Sequence, residues 1–187
     1  MRLKTRGEIL LFVLGSVLMI NTLCSRKIFP EQVFRNINSS SERKRLEKFI
    51  DEGIEKELTL YRIQPEDIIT SAKKYLGVPH CMGGSDEKCM DCSGLIMKVF
   101  LENGITFPRI SEEQARFGRI IPDMKDLKKG DLVFFTRSYP THRFITHSGI
   151  YIGKNDFIHT SSSKGVSITS LDNPWWNEKF IFGTRIF

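Results

Sequence analysis

Apolar residues recur at helical spacing in several stretches of the first two thirds of the chain. Leu46, Phe49, Ile50, Ile54 and Leu58 form one such series, behind Ser39 to Ser41, which read as a linker and N-cap. Ile68, Ile69, Ala72 and Leu76 form a second face. Pro65 opens it, Glu66 and Asp67 sit where the helix dipole favours negative charge, and Gly77 with Pro79 ends it. After the loop VPHCMGGSDEKCM the period returns at Asp91: Leu95, Ile96, Val99 and Phe100 share a face that Asn103-Gly104 terminates. Ser111 with Gln114 reads as the capping box of a short helix reaching Phe117.

The remainder changes character. DLVFFT, FITHSGIYIG, DFIHT, GVSIT and FIFGTRIF are β-branched and aromatic runs separated by turn residues, the pattern of an antiparallel meander. Helices first and strands afterwards predict an α+β domain. Neither an internal repeat nor a low-complexity tract interrupts this order.

The first 24 residues stand apart. Arg2, Lys4 and Arg6 precede the uncharged apolar run ILLFVLGSVLMI and then NTLCS, the layout of a secretory signal. That run is shorter than the roughly 20 apolar residues a membrane span needs, so export is the expectation. The end of the segment resembles a bacterial lipoprotein signal in which Cys24 becomes the lipidated first residue, although Leu23 and Asn21 depart from the usual pattern. Cleavage after Cys24 and an uncleaved anchor are the alternatives. Residues 25–62 then read as a spacer and an amphipathic helix, and 63–187 as the main domain.

Length and composition fit one globular domain with extras: 187 residues, 40% hydrophobic and 27% charged. The formal charge is +6; positions 1 to 23 carry three basic residues and one acidic, leaving +4 without them. That balance suits anionic envelope polymers or a solvated surface, and no aromatic-interleaved basic patch argues for nucleic acid.

Four cysteines, Cys24, Cys81, Cys89 and Cys92, raise the question of chemistry. An exported protein permits disulfides, and one consistent allocation joins Cys81 to Cys89 and leaves Cys92 free; plain thiols are equally allowed. If Asp91 caps the helix, Cys92 lies in its first turn, where unpaired amides and the macrodipole favour a thiolate. Gly94 removes bulk nearby, as if to admit a substrate carbonyl. The bland alternative is a small buried hydrophobe.

A base is therefore needed, and two histidines occupy successive strands. With a three-residue turn at Gly153-Lys154-Asn155, Ser161 opposes His147, and His159 is a diagonal neighbour on the same face, roughly 7 to 8 Å away. A two-residue turn without a bulge would put the two rings on opposite faces. Cys92, His147 and His159 then supply nucleophile, base and orienting group.

Block by block and in order, AKKYLGVPHCMGGSDEKCMDCSGLIMKVFLENGITFPR, SEEQARFG, LKKGDLVFF, THSGIYIGKNDFIHTSSSKGVSI and FGTRIF resemble the NlpC/p60 family of cell-wall cysteine peptidases. The resemblance runs from about Ile68 to the C-terminus. It implies a papain-like α+β fold, with helices packed on a five- to six-stranded antiparallel sheet. It also implies Cys92 as nucleophile, His147 as base and His159 as the third polar residue, with Asp91 and Ser93 lining the substrate cleft. The implied reaction is hydrolysis of peptidoglycan stem peptides, commonly at the bond between γ-D-glutamate and a diamino acid, by a monomer without cofactor or metal.

Departures from the family pattern are specific. His80 stands where the family usually has a tyrosine thought to lean over the nucleophile, which opens an oxyanion-assisting or specificity role for it, or a weaker enzyme. Ser148 replaces a commoner valine before Gly149, and SYPTHR is a longer approach to the base that brings in His142 as a competitor. Three rival readings remain: a metal site built from His80, Cys81, Cys89 and Cys92; a redox pair of Cys89 and Cys92; and a catalytically silent wall-binding protein on the same fold.

Overall fold

Ser39 caps the first helix, α1 (Ser40–Asp51), its hydroxyl accepting from the Glu42 amide. The computed structural model describes residues 31–60 and 62–187; the predicted leader and Cys24 lie outside the described residues. Leu46 and Phe49 are buried as the spacing requires, but the helix stops at Asp51, where Gly53 takes a φ of +100°. Ile54 and Leu58 reach the same core from extended chain instead. Val33, in the stretch read as spacer, is also buried in that core.

Helix α2 (Pro65–Lys73) begins at the predicted proline, and Ile68, Ile69 and Ala72 are buried. Leu76 is exposed beyond its end. Helix α3 (Cys92–Glu102) buries all four predicted core residues, Leu95, Ile96, Val99 and Phe100. The short α4 (Ser111–Gln114) corrects the expected capping box: Ile110 is its N-cap, with no side-chain cap bond. The Ser111 and Gln114 side chains are used elsewhere. Gln114 Nε2 donates to the carbonyls of Ser93 and Pro108, tying the loop after α3 to the start of α3.

Six strands form one antiparallel sheet: β1 (Arg119–Ile121), β2 (Leu132–Phe135), β3 (His147–Gly153), β4 (Asp156–Ser161), β5 (Gly165–Ser170) and β6 (Phe180–Arg185). The strand order is β1-β6-β2-β3-β4-β5. The meander expectation therefore holds from β2 to β5 and fails at β6, which returns to pair between β1 and β2. An unanticipated helix, α5 (Pro174–Lys179), carries the chain back, with Asn173 as its cap and Pro174 at its first position.

Alternation along the strands sorts two apolar layers. Phe134, Ile150, Ile158 and Phe182 face the helices and pack with Leu95, Ile96 and Val99. Their neighbours Val133, Phe135, Tyr151, Phe157 and Phe180 form the layer on the other face, with Leu171 and partly buried Trp176.

The β3–β4 hairpin decides where the histidines point. Its turn is the two-residue Lys154-Asn155, both at positive φ (54° and 60°), rather than the expected three-residue turn. A register shift between Tyr151 and Gly153 leaves Ile152 without an opposite number, and beyond it Tyr151 pairs with Phe157 and Ile150 with Ile158. The bulge supplies the odd residue that the turn lacks. His147 and His159 consequently share a face.

Candidate functional site

Asp91 is the N-cap of α3: its Oδ1 accepts from the Gly94 amide at 2.7 Å, and Cys92 occupies the first helical position. The same carboxylate receives a two-pronged contact from Arg109, Nη1 to Oδ1 at 2.9 Å and Nη2 to Oδ2 at 2.7 Å. Ser93 Oγ and the Gly83 amide also donate to it. Burial would raise the Asp91 carboxyl, but the hydrogen bonds from Arg109, Gly94 and Gly83 outweigh this and hold its pKa below the ordinary carboxylate value.

The glycine after Ser93 has a different cause from the one expected. A Cβ at Gly94 would lie 2.1 Å from the Gly84 carbonyl oxygen, so the glycine admits the preceding loop and not a substrate. That loop is closed by a disulfide between Cys81 and Cys89. Gly84 O in turn accepts from the Asp91 amide (3.0 Å) and from Arg109 Nη2 (3.1 Å), so loop, cap and arginine form one network. The disulfide withdraws two of the four ligands from the metal reading and takes Cys89 away from a pairing with Cys92.

Cys92, Asp91, Ser93, His80 and His147 all line one cavity of about 600 Å³. His159 stands behind it, 1% exposed, and its Nδ1 lies 2.9 Å from His147 Nε2. His159 Nε2 is in turn 2.9 Å from Thr169 Oγ1. The two imidazoles sit in the second apolar layer: Trp176 lies over His147 with centroids 4.7 Å apart, and Phe157 stacks on His159 at 4.6 Å. His142 is exposed and lines a separate cavity, so it does not compete for the base position.

The thiol has unexpected company. Cys92 Sγ lies 3.7 Å from Ser111 Oγ, which is 3.1 Å from Ser148 Oγ, and both serines are buried. Among the described residues its side-chain hydrogen-bond partner is Ser111, and not His147. Burial pushes the Cys92 thiol up and the Asp91 charge adds to that, against the lowering effect of the two serines. His147 is held well below 6.5 by burial, then by His159 and His80, and burial lowers His159 to about 4. The helix-terminus argument for a ready thiolate is thus overridden by desolvation: the resting pair is a neutral thiol and a neutral imidazole.

Five participants escaped the sequence reading: Arg109, Ser111, Ser148, Thr169 and Trp176. Ser111 was assigned to a cap, and Ser148 drew notice only as a departure. Arg109 follows Pro108 in a loop, where no periodicity marks a residue that reaches back to a helix cap.

The NlpC/P60 family model matches residues 77–185. The murein DD-endopeptidase MepS/murein LD-carboxypeptidase of Escherichia coli is 40% identical over 111 residues, covering 59% of this chain and 56% of that protein. The gamma-DL-glutamyl hydrolase of Bacillus subtilis is 40% identical over 122 residues, covering 64% of this chain and 29% of its own length. The chain thus spans about half or less of the length of these relatives. A crystal structure of an NlpC/P60 family protein from Bacillus cereus superposes with a TM-score of 0.60 at 32% identity, covering 66% of this chain and 40% of that one. The matched span takes in the disulfide loop, α3 with its cap, the Arg109 loop and all six strands, and on that evidence the chain belongs to the NlpC/P60 family.

Proposed function

We propose that this protein is an exported cysteine endopeptidase that hydrolyses peptidoglycan stem peptides at the bond between γ-D-glutamate and the diamino acid, through a thioester on Cys92. One observation carries the reading: a buried His147–His159 pair, oriented ring to ring at 2.9 Å, borders the cavity that Cys92 opens into. The name of the Bacillus subtilis relative supports the choice of a glutamyl bond, and that of the Escherichia coli relative supports murein as the polymer.

The chemistry follows from which nitrogens are occupied. His147 uses Nε2 toward His159, so Nδ1 is the nitrogen left for the thiol. In neutral His147 the proton then sits on Nε2 and is donated to His159 Nδ1, and His159 donates from Nε2 to Thr169. Because the resting thiol is protonated, its proton passes to His147 as Sγ attacks the carbonyl carbon. His159 Nδ1 remains an acceptor for the imidazolium that forms.

Asp91 engages the Gly94 amide with its side chain and the Leu95 amide with its carbonyl, so the amides of Cys92 and Ser93 have no intrahelical partner. These are the donors for the oxyanion, and His80 faces the same cavity from the disulfide loop. The tetrahedral intermediate collapses to the thioester as His147 protonates the departing amine. His147 then activates water, which displaces the thiolate and releases the acid.

The neutral, serine-bonded thiol favours a second reading, a wall-binding protein without turnover. Incubating the protein and Cys92→Ala with purified peptidoglycan separates the two. Release of fragments by the native chain alone, cut after γ-D-glutamate by mass spectrometry, is the expected outcome. Equal release by both proteins, or none by either, would discard the hydrolase; cuts confined to D,D cross-links would discard the bond assignment.

A further inference from the structure

Beside the Cys92 cavity lies a second one of about 490 Å³, which shares Ser138, Tyr139, Arg143 and Trp175 with it. Its remaining walls bring three more cations: Arg45 from α1, Arg137, and Lys179 at the end of α5. No carboxylate side chain is among its described lining residues. Two of the four positive charges are offset from outside. Arg137 Nη1 lies 3.2 Å from Glu42 and Lys179 Nζ 3.8 Å from Glu178. Lys179 also sits 4.3 Å over the ring of Trp175.

Arg45 and Arg143 form no ion pair among the described residues. Arg45 Nη1 donates to the Thr141 carbonyl at 3.3 Å, but its Nε is buried without a hydrogen-bond partner. An unpartnered buried donor on a charged group is uncommon in a native structure, and the guanidinium that carries it lines this cavity with no carboxylate to neutralise it. Arg45 precedes residues 77–185, so this feature belongs to the chain's own N-terminal helix and not to the family domain.

We propose that this second cavity is an anion subsite of the substrate cleft, in which Arg45 and Arg143 bind a carboxylate of the stem peptide on the far side of Tyr139 and Trp175 from Cys92. The proposal rests on the peptidoglycan reading for the identity of the ligand. The two cavities have Ser138, Tyr139, Arg143 and Trp175 in common, so a peptide that leaves the Cys92 cavity past this wall would meet Arg143 and then Arg45. Stem peptides are acidic, and a guanidinium binds a carboxylate through paired N–H donors.

The test uses two ligands, a stem tetrapeptide with free carboxylates and the same peptide as its carboxamides, titrated calorimetrically into full-length Cys92→Ala. The acid binds about tenfold more tightly than the amide, and adding Arg45→Gln brings the two affinities close together. Adding Arg45→Lys instead keeps part of the preference, which excludes a simple loss of folding. In the active chain Arg45→Gln raises KM for the acid by the same factor and leaves kcat unchanged.

An acid-to-amide ratio unaltered by Arg45→Gln overturns the subsite. So does a variant whose only loss is binding to phosphatidylglycerol vesicles or inorganic phosphate, since the cations then serve a membrane or free phosphate. Preference for the acid that disappears with Arg45, in a protein that releases nothing from peptidoglycan, keeps the subsite and removes the hydrolase.

Discussion

Replacing Gly94 by alanine sets two effects of opposite sign against each other. Helix propensity alone predicts a gain of about 1 kcal/mol, because Gly94 lies inside α3. Close approach predicts the reverse. The new Cβ would sit 2.1 Å from Gly84 O, so that carbonyl must retreat by more than about 1 Å to reach ordinary contact. It would then leave the Asp91 amide and Arg109 Nη2, now 3.0 and 3.1 Å away. Losing one neutral and one charge-assisted hydrogen bond costs about 1 and about 2 kcal/mol respectively. After the propensity gain the net is a destabilisation of about 2 kcal/mol, or roughly 4 to 8 °C in Tm for a domain of this size. Urea unfolding of wild type and Gly94→Ala, with the same m-value, measures it. A variant as stable as wild type, or more stable, would show that the loop yields freely and that the network around Gly84 O contributes nothing.

Acid should destabilise the fold through the histidine pair. The unfolded chain protonates these rings near pH 6.5 while burial holds His159 at about 4, so stability is full above 6.5 and is lost as pH falls toward 4. Over that interval His159 alone removes about 3 kcal/mol, and equal losses for wild type and His159→Gln in unfolding at pH 7 and pH 4 would contradict this. Iodoacetamide should label Cys92 slowly at neutral pH and faster only as pH rises past 9, the ordinary thiol value from which burial moves it upward; a flat rate from pH 5 to 8 would mark a resident thiolate. Arg116, 3% exposed, donates to the carbonyls of Phe49 and Gly53 and to Glu52 and Glu113, joining α1 to the loop after α4. Arg116→Met should cost about 3 to 5 kcal/mol and speed amide exchange in α1, and a loss below about 1 kcal/mol would refute that coupling.

What could be read from the chain was what neighbours in sequence determine. Asp91 as cap and Leu95, Ile96, Val99 and Phe100 as one face follow from spacing within α3, and they placed Cys92 in the first turn. The shared face of His147 and His159 requires an odd offset in the hairpin, which a three-residue turn or a bulge can supply; the sequence leaves that choice open, and the bulge at Ile152 provides it. β1 is only three residues long and exists because β6 comes back to pair with it, a long-range event without a local signature. Ser111 fits a cap locally, yet its hydroxyl is drawn to Cys92 and Ser148 by a contact across the core. The charge state of the sulfur was missed for a related reason: backbone amides at a helix start are visible in sequence, and the depth of burial that opposes them is not.

The bulge at Ile152 makes the setting of β3 against β4 a chemical quantity. Deleting Ile152 would leave every pair from Tyr151–Phe157 onward in place, whereas pairing Ile152 with Phe157 would slide the rest of β3 by one residue and present Ser148 where His147 now points, about 17 Å along the strand from the change. Surface hairpins ordinarily drift in length without consequence for the interior. This one resembles a zip whose teeth must mesh at one setting, and variants that slip β3 by one step against β4 should lose turnover while keeping their overall shape.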